Sequence, residues 1–392
     1  MGNKWEKVKL GNIVTIRSGK SRPSESGIYP IYGGNGIFGR ANTFNEENIV
    51  IVGRVGAYCG CVYFEKDKLW LSDNALGVKA NDMSDLKYIY YLLTSFNLNS
   101  KAIGGAQPLL TQGILNEIEV TLPPLPVQQS IAQILSSIDD KIELLREENK
   151  TLEAIAETLF IRWFVDFEYP NEQGKPYKSS GGKLVESELG LIPDKWSVRK
   201  LGDVVETITK GTTPTTIGGR FTEFGINFIK AESITESYYF DKNKISYIDE
   251  MSNELLRRSK ILPGDLLFTI AGTIGRFAIV PKELTPANTN QAVAIIRTKT
   301  LCKSYFLLSL LKLKEIRNSL LGNVVEAVQA NLSLTTIKDL QFRVPDEQFY
   351  NLFEYSILPF FTKISTNHLE IESLNLTRNS LLPKLMNNEV KV

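Results

Sequence analysis

A single histidine, His368, and three cysteines are all that 392 residues provide of the two side chains most used for metal binding and nucleophilic chemistry. Cys59, Cys61 and Cys302 are odd in number and form no CxxC pair, which excludes a disulfide framework and a four-ligand zinc site. One histidine can furnish neither a His-Glu-x-x-His zinc motif nor a pair of Ser-His-Asp triads. His368 falls inside a helical seam pattern and is expected to be structural. A phosphate-cradling loop needs a glycine five residues before Gly19-Lys20-Ser21, and Val14 stands there. No apolar run approaches the roughly 18 residues of a membrane span, so a soluble, cytoplasmic chain without a membrane partner is expected. No catalytic constellation is visible, and the chain reads as a non-enzyme.

What is present is duplication. Trp5, Leu10, Gly11 and Val14 recur as Trp196, Leu201, Gly202 and Val205, each 191 residues on. Pro-bounded strands at 118–123 and 340–345 each lead into a long amphipathic helix, and the two helices align at an offset of 222. A period this long means tandem copies of a whole domain rather than solenoid units. The boundaries follow: a first domain at 1–123, a helix at 124–168, a linker at 169–195, a second domain at 196–345, and a helix with tail at 346–392.

The net charge of +1 hides a segregation. Residues 1–123 carry 13 Lys/Arg against 11 Asp/Glu and residues 169–345 carry 24 against 18, whereas 124–168 carry 4 against 9 and 346–392 carry 4 against 6. Mildly basic domains suit polyanion contact and acidic helices suit protein contact.

Both helices carry heptads. Ile131, Ile138, Leu145, Leu152 and Leu159 occupy d in the first, interleaved with Leu135, Ile142, Asn149 and Ala156 at a. In the second, Phe353, Phe360, Asn367, Leu374 and Leu381 occupy d, with Ile357, Ile364, Ile371 and Arg378 at a. Neither stripe can be hidden alone, so the helices should pair as an antiparallel coiled coil about 45 Å long with pseudo-twofold symmetry and a domain at each end. The two seam asparagines fit register-setting polar positions or frayed surface positions.

The domains show short strands, at 49–52, 61–64, 76–78, 266–270, 278–280 and 292–296, with one helix each at 86–96 and 303–319. An α+β fold, mostly β in the two domains, is expected. The densest glycine cluster, Tyr32-Gly33-Gly34-Asn35-Gly36 running on to Arg40, combines close backbone approach with stacking, amide and cationic groups; it also fits an ordinary hairpin. Gly53-Arg54-Val55-Gly56 and Gly272-Thr273-Ile274-Gly275-Arg276 repeat a GxxG with an arginine inside or adjacent. Asn74 and the pair Asn290-Gln291 follow about 20 residues later. The candidate ligand-facing residues are therefore Tyr32, Asn35, Arg40, Arg54 and Asn74 in the first copy. Lys230, Thr273, Arg276, Asn290 and Gln291 are those of the second.

The run Leu122-Pro123-Pro124-Leu125-Pro126-Val127-Gln128-Gln129, the Tyr-Gly-Gly-Asn-Gly stretch, the restart Ile192-Pro193-Asp194-Lys195-Trp196 and the terminal Leu381-Leu382-Pro383-Lys384-Leu385-Met386 resemble the specificity subunit of type I restriction-modification enzymes. The resemblance covers essentially the whole chain. It implies a non-catalytic subunit whose two target-recognition domains each read half of a bipartite site on double-stranded DNA. It further implies that the coiled coil sets half-site spacing and docks two methyltransferase subunits, which carry S-adenosylmethionine, with restriction subunits as further partners. The second copy departs from the Pro-Pro motif, reading Val344-Pro345-Asp346-Glu347-Gln348. A stand-alone two-domain DNA-binding regulator would share the domains but need no partner.

Overall fold

A computed structural model describes residues 5–105, 107–299, 301–322 and 331–392, with the backbone alone at 301–303. The side chain of Cys302 thus lies outside the described residues. The chain divides into two compact units, Met1–Glu147 with Thr366–Val392, and Glu148–Ser365. Both boundaries fall inside the long helices, α3 (Leu125–Phe160) and α9 (Glu347–Met386).

In the first unit β1 (Glu6–Lys9) pairs antiparallel with β9 (Glu119–Leu122), Glu6 opposite Leu122. A four-stranded sheet runs β2 (Val14–Ser18), β8 (Ala75–Ala80), β5 (Ile49–Gly53), β6 (Val62–Glu65). A three-stranded sheet runs β4 (Gly36–Ala41), β3 (Tyr29–Gly33), β7 (Trp70–Leu71). The continuous apolar run of β5 is explained by burial on both faces. Val50 and Val52 join the main core with α1 (Leu86–Ser95), while Ile49 and Ile51 face a second cluster with Leu69 and Leu71.

The second unit repeats this frame. Here β12 (Ser197–Lys200) pairs with β21 (Gln341–Val344), Ser197 opposite Val344, so the offsets of 191 and 222 hold in hydrogen-bond register. A sheet runs β13 (Thr207–Lys210), β20 (Val293–Arg297), β17 (Leu266–Thr269), β18 (Phe277–Ile279). Leu266 and Phe268 face one core and Leu267 the other. The second sheet is larger, in the order β14 (Phe221–Thr222), β16 (Ser246–Ile248), β15 (Ile226–Ile229), β19 (Ala287–Thr289). Short helices α2 (Gln112–Asn116) and α8 (Leu334–Lys338) also match, and matched hydroxyls cap them, Thr111 on Ile114 N and Ser333 on Thr336 N. Between these elements lie α4 (Leu201–Val204), α5 (Glu250–Leu255), α6 (Leu301–Lys312) and α7 (Lys314–Leu321), so the helix expected at 303–319 is broken at Leu313.

Antiparallel helix pairing is present in each unit. In the first, Asp139 bonds Arg378 at 2.7 Å and Lys141 pairs with Glu370 at 3.4 Å, around Ile138, Ile142, Leu145, Ile371 and Leu374. In the second, Glu148 meets Lys363 at 3.5 Å and the rings of Phe160 and Phe353 lie 5.6 Å apart. Asn149 and Asn367 are 5% and 0% exposed, which excludes frayed surface positions. Burial also holds His368 below the usual histidine pKa, while the Glu372 carboxylate works in the opposite direction.

The stretch expected as a linker is built into the second unit. After α3 a π turn (Ile161–Val165) and a positive φ of 61° at Phe167 turn the chain back. Tyr169 then stacks on Trp196 and on Tyr177, with centroids 5.5 and 4.7 Å apart. A small ladder of β10 (Leu184–Val185) and β11 (Ile192–Pro193) completes the return. Its Gly, Ser and Lys content suggests a tether, but three aromatic anchors override composition.

Candidate nucleic-acid interface

In each unit two parallel strands end side by side and set the loops that follow. In the first, β3 and β7 pair with Tyr32 opposite Leu71, so Gly33 and Ser72 follow the last parallel pair side by side. In the second, β15 and β19 pair with Ile229 opposite Thr289, so Lys230 and Asn290 do the same. A third segment is pressed against each loop. A Cβ on Gly19 would lie 2.1 Å from Ser72 O, and one on Gly211 would lie 1.8 Å from Thr289 O, distances only glycine permits.

The glycine cluster of the first unit is a hairpin, β3 to β4, with Gly34-Asn35 at its tip. That tip abuts two other loops: a Cβ on Gly34 would sit 3.6 Å from Asn74 O, Gly53 Cα and Val55 O. Asn35, Arg54 and Asn74 are thereby brought to one loop end. Asn35 and Asn74 are exposed. Arg54 is half-buried, its Nη1 donating to Asp73 O at 3.5 Å and its Nε without a partner among the described residues. Two residues outside the sequence-based set join them, Lys20, whose N bonds Leu71 O at 3.0 Å, and Gln112, whose Nε2 donates to Ser18 Oγ at 2.9 Å. Lys20 was legible only as part of a failed phosphate-loop pattern, and Gln112 carried no local signal.

Tyr32 and Arg40 stand apart. Tyr32 is 8% exposed and its hydroxyl donates to Glu65 at 2.8 Å, so its ring supports the hairpin from inside. Burial and the Glu65 carboxylate both push its pKa up. Arg40 lies five residues beyond the tip, exposed, with Nη1 donating to Ile28 O at 2.6 Å.

In the second unit Gln291 is exposed and its Oε1 accepts from Thr213 Oγ1 at 2.7 Å. Asn290 uses its Oδ1 to accept from Ala292 N at 3.1 Å, which closes the turn beneath Gln291. Thr273 is exposed and sits in the adjacent hairpin turn, where its carbonyl accepts from Thr269 Oγ1 at 2.5 Å. Arg276 is committed elsewhere, with Nη2 on Glu236 at 3.0 Å and Nη1 on Ile234 O at 3.3 Å. Lys230 holds its Nζ 5.0 Å above the Phe221 ring and 4.0 Å from the Glu232 carboxylate.

The expected equivalence of the two GxxG turns is corrected by their hydrogen bonds. Gly53 N donates to Cys61 O and Gly60 N to Gly53 O, as Thr269 N donates to Arg276 O and Gly275 N to Thr269 O. One residue on, Arg54 N reaches Asn74 O and Leu110 N reaches Arg54 O, as Ile270 N reaches Ala292 O and Leu332 N reaches Ile270 O. Arg54 therefore matches Ile270, Arg276 matches Cys61, and Asn74 matches Ala292. The glycine spacing coincides, but it slips three residues against the pairing, because Gly53 opens the first turn where Thr269 opens the second. The residues that share the exposed position between the parallel strand and the next strand are Asp73 and Gln291.

The architecture thus defines a duplicated recognition scaffold, with two β-rich copies that share one frame and present different side chains on matched loops. Residues 2–154 and 193–371 match the family described as type I restriction modification DNA specificity domain. The chain belongs to that family. It is 28% identical over 359 residues to the type I restriction enzyme MjaIX specificity subunit of Methanocaldococcus jannaschii, covering 89% of this chain and 79% of that protein. It is 23% identical over 364 residues to the HindI specificity subunit of Haemophilus influenzae, covering 78% and 77%. The crystal structure of the type-I restriction-modification system S subunit from M. genitalium shares the fold, with a TM-score of 0.65 at 17% identity over 98% of this chain and 96% of that one.

Proposed function

We propose that this chain is the DNA sequence-recognition subunit of a type I restriction-modification complex, each domain reading one half of a bipartite target. The observation that carries the reading is that both matched segments contain the same loop frame, closed by glycine at Gly19 and Gly211, with the exposed polar residues gathered at its end. Base edges in a groove are read by amide, guanidinium and hydroxyl groups, which is what these loops present. The seam helices hold the half-sites at a set spacing and dock two methyltransferase subunits, which bring S-adenosylmethionine; restriction subunits join the same assembly. The chain itself supplies recognition and no catalysis.

Reconstitution of the chain with its methyltransferase subunits, followed by methylation mapping of DNA, tests this. The complex should methylate a two-part sequence, and the purified chain alone should transfer no methyl group. Methyl transfer by the isolated chain, or methylation by the complex without sequence preference, would sink the reading.

A further inference from the structure

We propose that Gln291 reads an adenine in the half-site of the second domain and that Thr213 is the residue that positions its amide. This rests on the DNA-reading function above. Four observations converge on the pair. Gly211 lets the chain leaving β13 lie directly against the Thr289-Asn290 peptide, which no larger residue allows. Thr213 is then fixed by the turn that follows, its carbonyl accepting from Thr216 N at 3.2 Å and from Thr216 Oγ1 at 2.7 Å. From there its hydroxyl reaches Gln291 Oε1 at 2.7 Å. The Asn290 side chain closes the turn below, so the backbone that carries Gln291 is also held.

The chemistry left over is specific. An amide oxygen has two lone pairs and Thr213 uses one. The second lone pair and the Nε2 hydrogens remain, and no described residue accepts from Nε2. One acceptor beside one donor in a fixed plane matches the N6 amino group and N7 of adenine in the major groove. The matched position in the first unit carries Asp73, an acceptor-only group. One backbone position thus presents two different hydrogen-bonding patterns in the two domains, as half-sites of different sequence require.

The test uses the full complex with methyltransferase subunits, its methylation map, and competition binding to duplexes changed one base pair at a time. Gln291→Ala should reduce discrimination at a single position of one half-site on the order of 10- to 100-fold and leave the other half-site unchanged. Thr213→Val should reduce discrimination at that same position by a smaller factor, and Thr213→Ser should restore it. Wild-type discrimination by Gln291→Ala at every position, or a base pair other than A·T at the affected position, overturns the assignment. Wild-type discrimination by Thr213→Val overturns the positioning role. These failures differ from failure of the underlying function, which would appear as an unmodified complex that binds no sequence preferentially.

Discussion

At the scale of single residues, the two arginines that look alike in sequence are set for different work. Arg54 has one long contact at 3.5 Å and an Nε without a partner among the described residues, so its guanidinium retains donors for a ligand. Arg276 spends both terminal nitrogens on Ile234 O and Glu236. Arg54→Ala should cost about 1–3 kcal/mol of DNA affinity if it reads a base, or lower the salt slope by about one if it holds a phosphate. Arg276→Ala should cost less. Titration of the complex with target DNA across a salt series measures both, and equal losses for the two variants would restore the equivalence that the hydrogen bonds deny. Most of the loop-end residues were legible as polar groups flanked by glycine. Their pairing across copies was not, because glycine spacing marks where the chain bends, whereas equivalence is decided by which peptide bonds to which. Thr213 was invisible for a related reason: it acts on a residue 78 positions away.

At the scale of elements, legibility followed periodicity and burial. Strand β5 was readable because both its faces are buried, and the heptads were readable because four-three spacing has one physical solution. The larger second sheet was missed, since β14 and β16 are only two and three residues long and carry no period to detect. The packing of residues 169–195 is not legible in composition, because Tyr169 and Tyr177 stack only once Tyr177 N bonds Tyr169 O, and Trp196 joins them from beyond the stretch. A residue beside the seam asparagine Asn367 yields a test. His368 is the sole histidine, and burial lowers its pKa in the folded state below the unfolded value near 6.5. Between those two values the unfolded chain binds more protons, so stability falls as pH drops through about 6.5 toward the folded pKa. Carboxylates titrate mostly below about pH 5, which leaves this window to His368. Thermal melts from pH 7.5 to 5.5 should show declining stability in the native chain and a flatter profile in His368→Gln. An identical slope in both would remove the histidine as its cause.

At the scale of the whole molecule, chain order and structural membership diverge. The first unit begins at the N-terminus, yet its core is completed by the last turns of α9. Leu385 is 1% exposed and Met386 7%, both in the cluster that contains Leu10, Tyr88 and Leu135, with Leu381 and Leu382 packed against it. In the second unit the matching service is performed by the end of α3 and the π turn that continues it, where Ala156 and Phe160, then Trp163 and Phe164, enter the core. Each domain therefore takes the final turns of the helix that begins in the other unit, and a lesion at the C-terminus should be felt first in the N-terminal domain. Removing the Leu385 side chain leaves a cavity in a closed core, a change that costs about 2–5 kcal/mol. In Leu385→Ala, amide exchange should accelerate in β5 and α1, both of the first unit, while β17 and β20 of the second keep their protection. In the reconstituted complex, the base preference belonging to the first domain should weaken with temperature before that of the second, because the loops around Arg54 and Asn74 rest on the weakened core. Accelerated exchange confined to β17 and β20, or spread equally over both units, would show that the C-terminal turns do not belong to the first domain's cooperative core.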